Sequence, residues 1–350
     1  MVYYIRFLKC PKLDVKTGLT RALVTITTDL GDAFYPGDLT LHAMLVTDYR
    51  EEPITEWRTV QWIKGMRSVS IEIGALRNCD SKLRRLLLNT QRTQAADTVL
   101  EKHIPEIFSA RSGTFSMDRP LAGDKIERRY KTGEDDERSV YEETGESIAR
   151  HVWDAGIALV AFLSNVTRQP FPKAPLAMIL TRTTHGPKVL ELGSGCGIVG
   201  LEIARLCPTS DVLLTDLPEA MAIMEYNVSE VKVSSTTGKI TTAILDWNDA
   251  LPAMIRQTQY NLVIVSDCTY NSDNIPALVK TLAAVVNKSP AALVVVSMKV
   301  RHDSEAIFFE LMAEAGFVTV EDYAISLPDQ QRGHIGQELD AVNVFVFRKD

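Results

Sequence analysis

The chain has 350 residues, 45% of them hydrophobic, with 38 Lys and Arg against 45 Asp and Glu and a formal net charge of -7. At roughly 150 residues per domain this length predicts two domains, and the apolar content is ample for two cores. The acidic balance argues against a broad grip on nucleic acid, which needs a surplus of cations to displace counterions, and no apolar run approaches the ~20 residues that span a bilayer.

The opening MVYYIRFLKCPKLD lacks the basic, apolar and small-residue order of a signal peptide. A soluble protein of the cytoplasm is expected, with the nucleus as a further compartment. The five cysteines (Cys10, Cys79, Cys196, Cys207, Cys268) are odd in number and form no C-x-x-C pair, so neither a disulfide framework nor a cysteine zinc site is indicated. Six scattered histidines with no H-E-x-x-H give no metal site either.

Residues 1 to about 75 read as strands: VYYIRFL, TRALVTITTD, DLTLHAMLVTD, EWRTVQWIK and RSVSIEIG are β-branched and aromatic, punctuated by turn residues. Val69, Ile71 and Ile73 alternate with Ser68, Ser70 and Glu72. Segments 81–90 and 94–110 carry apolar residues at helical spacing, which predicts a β-rich accessory domain over 1–110 closed by helices. From 111 to 145 the chain turns polar and mixed in charge, the texture of a charged linker or mobile loop. No internal repeat is visible.

A strongly apolar helix is predicted over 147–163, opened by Ser147. Strand and helix signals then alternate: KVLEL, GIVGLEIARLC, DVLLTD, LPEAMAIMEYNV, KITTAIL, a short helix, YNLVIVS, NIPALVKTLAAVV, AALVVVSM and DSEAIFFELMAEAG. This order implies a parallel sheet with helices on both faces. FVTVEDYAI and DAVNVFVFRK follow without a helix between them, joined by LPDQQRGHIGQE, so the last strand should run antiparallel.

The glycines of KVLELGSGCGIVGLE, residues 188 to 202, count in two ways. Gly193, Gly195 and Gly197 make G-x-G-x-G, whereas Gly195, Gly197 and Gly200 make the G-x-G-x-x-G of dinucleotide binders. Residues leaving the strands bear on the choice. Glu191 sets an acid beside the turn, which favours a sulfonium cofactor over a pyrophosphate; a side chain turned into solvent is its rival reading. Asp216, ending the second strand, has two acceptor oxygens for a pair of ribose hydroxyls of either cofactor; a helix cap for LPEAM is its rival role. Asp246 and Trp247 offer an acceptor for an adenine amine and an apolar wall for its ring, though a core tryptophan is the competing reading. Asp267-Cys268-Thr269-Tyr270 places an acceptor and a phenol three residues apart where a basic nucleophile would arrive, with Cys268 as a buried filler.

With these motifs, residues 146–350 resemble the seven-strand S-adenosylmethionine-dependent methyltransferases, and within them the lysine methyltransferase group (methyltransferase family 16) that modifies an AAA ATPase, Hsp70 chaperones and translation elongation factors. The matching pieces are VWDAG at 152–156, VLELGSGCGIVGL at 189–201, the acid of LLTDL, LDW at 245–247, and DCTY at 267–270, which corresponds to the group's D-x-x-Y. The resemblance implies a Rossmann-like seven-stranded α/β sheet over 146–350 and S-adenosyl-L-methionine as cofactor. It implies cofactor contacts at Trp153, Glu191, Gly193, Gly195, Asp216, Asp246 and Trp247, and Asp267 and Tyr270 as catalytic residues at the target amine. A protein substrate such as a chaperone, an AAA ATPase or a translation factor follows from it, with no membrane and no nucleic-acid partner. Within VSMKVRHDSEAIFF, Arg301 is read as part of a solvated loop with substrate contact as its alternative. Residues 1–110 match no module of the group.

The implied reaction needs a neutral nitrogen. A free lysine titrates near ~10.4, so neutralising it at pH 7 costs about 4.6 kcal/mol. An ionised Asp267 raises that pKa and acts as a positioner; burial and the nearby sulfonium lower it. Three other functions remain as rivals at this stage: a methyltransferase for a small amine or pyridine, an NAD-dependent oxidoreductase on the second glycine count, and a non-catalytic interaction protein working through residues 1–110.

Overall fold

The computed structural model describes the whole chain except residues 49, 75–82, 135–136, 146–147, 169–173, 182–184, 232–237, 302 and 329–340. Cys79, Ser147 and most of the connection before the last strand therefore lie outside the described residues. The chain divides into two compact units, one of Met1–Thr98 with Pro105–His151 and one of Val99–Ile104 with Val152–Asp350.

The first unit is built of strands, with one 3-10 turn among its described residues. β1 (Tyr3–Leu13), β2 (Thr20–Thr27), β3 (Leu39–Thr47), β4 (Arg58–Trp62) and β5 (Val69–Ile73) fall where β-branched alternation predicts them. The predicted helices do not form. β6 (Arg84–Asn89), β7 (Asp97–Thr98), β8 (Ile107–Phe108) and β9 (Ala110–Arg111) occupy their place, because a short apolar run such as RRLLLN carries no period that separates helix from strand. The expected linker is corrected too: β10 (Lys125–Lys131) and β11 (Glu137–Glu143) form an antiparallel hairpin within it. Two sheets result, β5-β2-β1-β8 and β11-β10-β9-β6-β3-β4, with β7 paired to β10. Their core includes Ile5, Val24, Leu41, Trp62, Leu86, Leu88 and Phe115.

The charges that made 111–145 look solvated are paired inside this sheet. Arg128 donates to Glu142 at 3.0 Å, and Arg129 and Arg85 both reach Glu127, at 2.9 and 3.1 Å. Against the upward pull of burial, the Arg128 guanidinium and the His151 ring hold the Glu142 carboxyl well below the usual carboxylate range. Buried charges need such partners, and hydropathy does not show which charges will find them.

The second unit is doubly wound. After a short 3-10 turn at Ile148–Arg150, α1 runs Asp154–Thr167, so the helix predicted over 147–163 starts later than expected. There follow α2 (Pro175–Leu180), β12 (Lys188–Leu192), α3 (Ile198–Leu206), β13 (Asp211–Asp216), α4 (Pro218–Glu230), β14 (Lys239–Ile244), α5 (Ala253–Arg256), β15 (Leu262–Ser266), α6 (Ile275–Val286), β16 (Leu293–Met298), α7 (Ile307–Glu314), β17 (Phe317–Ser326) and β18 (Ala341–Lys349). The sheet order is β14-β13-β12-β15-β16-β18-β17. β14, β13, β12, β15 and β16 pair in parallel, while β18 is antiparallel to both its neighbours, as predicted. Among the described residues, α2 is an α-helix with no counterpart in the sequence reading. In this order the chain reverses direction across the sheet beside β12, so the carboxyl ends of β12, β13 and β15 open onto one crevice.

Candidate active site

The glycine turn that leaves β12 is left-handed at three places, with φ of 65° at Gly193, 54° at Gly195 and 79° at Gly197. A side chain at Gly193 is excluded in addition by its neighbours. An added Cβ would lie 2.5 Å from Cys268 Sγ and 3.2 Å from the Trp247 ring. The turn is fastened to β13: Ser194 N donates to Thr215 O at 3.0 Å, Thr215 Oγ1 donates to Glu191 O at 2.6 Å, and Asp216 accepts from Gly195 N at 2.7 Å.

Gly200 answers the question of the two counts. Its φ is ordinary, but an added Cβ would fall 2.2 Å from Leu214 Cδ2 and 2.6 Å from Glu191 Oε2. This glycine lets α3 pack close on the sheet, and Gly193, Gly195 and Gly197 form the turn itself.

Glu191 requires a correction. The sequence places its acid at a sulfonium, yet the side chain is 1% exposed and its Oε2 accepts from Gly200 N at 2.8 Å. Burial pushes its pKa up to about 8, with a further upward contribution from Asp216. At neutral pH the group is mostly uncharged and ties strand to helix. It does not present a negative charge to a ligand, so the electrostatic argument for the sulfonium from this residue falls.

The other predicted residues gather at the crevice. Asp216 ends β13, its other oxygen accepting from Leu217 N at 2.7 Å, and burial raises its pKa. It does not cap the following helix, whose N-cap is Leu217 with no side-chain cap bond, and is held against the glycine turn instead. Asp246 follows β14 and accepts from Asn248 N at 2.9 Å. Trp247 packs on the core that contains Leu192 and Cys268 and lies over Gly193, forming a wall rather than filling the interior. Cys268 donates weakly to Ser266 O at 3.2 Å and approaches Gly193 O at 3.7 Å. Burial pushes its thiol well above the usual value, so it packs and does not attack.

Asp267 sits immediately after β15 at φ 54°, one of two non-glycine residues with positive φ among the described residues. Its N–H donates to Ser297 O at 2.8 Å. Left-handed backbone costs an ordinary residue on the order of 1 kcal/mol, and such strain persists where surrounding structure enforces it. Arg301 grips the side chain, its two terminal nitrogens donating to Asp267 Oδ1 at 2.5 Å and Oδ2 at 2.8 Å. The reading of Arg301 as a solvated loop residue is therefore corrected. Its guanidinium also lies 5.7 Å from the Trp153 ring centroid, and Trp153 is parallel to Tyr270 with centroids 6.4 Å apart and planes 7° apart. Tyr270 is 44% exposed, and burial of its inner part raises its phenol.

Sequence reasoning missed the brace behind these rings. Lys299 Nζ donates to Asp154 Oδ2 at 2.9 Å, with both side chains buried, and Ser297 Oγ donates to Ala155 O at 2.9 Å. Glu305 accepts from Thr269 Oγ1 at 3.1 Å and from Arg301 N at 2.9 Å. A lysine closing the apolar strand LVVVSM and an acid inside VWDAG were the available signals.

These residues fit S-adenosylmethionine. The glycine turn, packed against Cys268 and the Trp247 ring, forms one side of a cradle, Asp216 offers acceptors beside it, and Trp247 supplies an apolar wall. Among the described residues no group of three or more His, Cys, Asp or Glu stands ready for a metal, and no helix is long and apolar enough to cross a membrane.

If the close approach at Gly193 is essential, Gly193→Ala should cost roughly 2 kcal/mol, from left-handed strain plus overpacking. Cofactor affinity should fall at least tenfold as Trp247 is pushed aside. Calorimetric titration checks this, and Gly193→Ala with Cys268→Ala should recover part of the loss. Unchanged affinity in the single variant would remove Gly193 from the cradle.

Sheet order, glycine turn and flanking acids together define a Rossmann-like S-adenosylmethionine-dependent methyltransferase. Residues 133–315 match the lysine methyltransferase family profile, and the chain belongs to that family. It is 31% identical over 318 residues to the UPF0665 family protein C23C4.06c of Schizosaccharomyces pombe, covering 87% of this chain and 91% of that protein. It is 29% identical to the protein N-lysine methyltransferase METTL21A of Danio rerio, covering 46% of this chain and 65% of the relative. It is also 29% identical to the EEF1A lysine methyltransferase 3 of Xenopus tropicalis, covering 48% and 66%. The alignments to these two named enzymes thus span just under two thirds of their own length.

Proposed function

We propose that this enzyme methylates the ε-amine of a lysine in another protein, with a translation elongation factor as the first candidate substrate and an Hsp70 chaperone or AAA ATPase as the next. The observation that carries the reading is the Asp267–Tyr270 loop, which touches the glycine turn through Cys268 and leaves the Tyr270 ring open to solvent. Support for the substrate class comes from the relatives' names, one of them an EEF1A lysine methyltransferase. The same substrate class implies action in the cytoplasm, with the nucleus as a second compartment.

S-adenosylmethionine, bound in the cradle, supplies an electrophilic methyl group. The chain's own residues do the rest. Asp216 and Trp247 orient the adenosine, while Trp153 and Tyr270 line the approach of the amine. Tyr270 faces the nitrogen, which gains positive charge as it takes the methyl group, with its ring, a cation–π interaction worth ~0.5 to 2 kcal/mol. Alignment of nucleophile, methyl and leaving group is the larger lever, up to ~7 to 11 kcal/mol.

The test is incubation of extract from cells lacking the enzyme with labelled S-adenosylmethionine, followed by mass spectrometry. Label on a lysine of elongation factor 1A is the expected result. Label only in a small-molecule fraction would support the amine methyltransferase instead. Tyr270→Ala should lower turnover by ~3- to 30-fold while leaving cofactor affinity within threefold; the reverse pattern would move Tyr270 to the cofactor.

A further inference from the structure

We propose that Arg301 is a positioning residue for methyl transfer. By taking both oxygens of Asp267 it fixes a cation beside the amine site, so that the target lysine enters as a neutral amine and not as an ammonium held by the aspartate. The inference rests on the reading of Asp267 and Tyr270 as amine-site residues.

Both partners are held from several sides. The Asp267 side chain is 3% exposed and that of Arg301 14%. Arg301 also donates to Lys299 O at 3.3 Å, and its backbone N–H is anchored on Glu305, which binds Thr269 of the same loop as Asp267. The guanidinium face is covered by Trp153. An ammonium arriving at Asp267 would have to expel this assembly and replace a planar two-bond contact by a point charge, a poorer match to a carboxylate. Arg301 therefore stays, and the carboxylate is spent before the substrate arrives.

The charges around the guanidinium set the sign of the effect. Asp267 is balanced by Arg301, and Asp154 on α1 by Lys299 just after β16. Glu305 is engaged by two donors, and Asp216 and Glu219 act on Tyr270 from the β13–α4 side. With the Asp267 carboxylate paired to Arg301, the pair carries no net charge and no longer favours the ammonium over the uncharged form of lysine. The ammonium releases its proton to solvent. Its nitrogen then forms the N–C bond as the S–C bond breaks, and the sulfur departs with the bonding pair.

Three variants test this: Arg301→Ala, Arg301→Lys, and Arg301→Ala combined with Asp267→Asn. Each is assayed for S-adenosylmethionine affinity by calorimetry and for labelled methyl transfer to the extract of enzyme-lacking cells between pH 6 and 10. Arg301→Ala should bind cofactor within threefold of wild type and shift the acidic limb upward by roughly 1 to 2 pH units. Its rate would then fall tenfold or more at pH 7 and approach wild type at pH 10. Arg301→Lys should shift the limb less, and the double variant should bring it back. An equal loss at every pH, a faster rate for Arg301→Ala, or a cofactor affinity reduced more than tenfold would overturn the proposal. Wild-type enzyme that labels no protein would reject the proposed function, and this inference with it. An active wild type with an unshifted limb in Arg301→Ala would reject the role of Arg301 alone.

Discussion

Asp154→Ala is expected to destabilise the methyltransferase unit by about 3 to 5 kcal/mol, the range for removing one partner of a buried ion pair. Asp154 is fully buried at the first turn of α1, and Lys299 closes β16 against it at 2.9 Å. Without the carboxylate the ammonium remains in a low-dielectric interior with its main counter-charge gone. The helix also loses an acid that complements its N-terminal dipole, a smaller effect of up to ~1 kcal/mol. Melting should drop by roughly 10 °C, at 2 to 4 °C per kcal/mol for a unit of this size. Turnover should fall as well, since Trp153 is the N-cap of the same helix. The paired change Asp154→Leu with Lys299→Met should recover much of the stability, because an apolar pair needs no desolvation of charge. A single variant that melts like wild type would show that the brace contributes nothing.

Glu191→Gln should change the pH dependence of stability. The folded pKa of Glu191, about 8, lies above its ordinary 4.5. A raised carboxyl stabilises the fold while protonated, so its contribution is complete below about pH 4.5 and is lost as pH rises to about 8. Near pH 8.5 the burial of the carboxyl opposes folding by on the order of 3 to 5 kcal/mol relative to a group that stays neutral. Glutamine keeps an oxygen for Gly200 N–H and cannot ionise. The variant should therefore melt roughly 10 °C above wild type at pH 8.5 and close to wild type at pH 5. Thermal unfolding at the two pH values checks this; equal melting at pH 8.5 would show that Glu191 titrates normally. The same comparison made on cofactor affinity separates structure from binding. If the acid served a sulfonium directly, glutamine would weaken binding even where it strengthens the fold.

The sequence by itself determined most of the second unit: the succession of strands and helices by periodicity, the turn by Gly193, Gly195 and Gly197, and the antiparallel last strand by the missing helix before it. These signals are local, since period, turn chemistry and chain order are properties of neighbouring residues. It also determined the strands through residue 73, for the same reason. Tertiary structure decided what non-local pairing decides. Arg84–Asn89, Asp97–Thr98, Ile107–Phe108 and Ala110–Arg111 became short strands because partners in the sheet supplied hydrogen bonds that an ambiguous apolar run did not specify. The charged stretch 125–143 became an interior hairpin because Arg128, Arg129 and Arg85 found carboxylates there. In the site, Glu191 and Arg301 both departed from their expected roles. The acid of the glycine strand is neutralised by burial and faces a helix, and the loop arginine is folded back onto Asp267. Motif spacing places a residue at the crevice, but the direction of its side chain and the charge it carries depend on what packs against it.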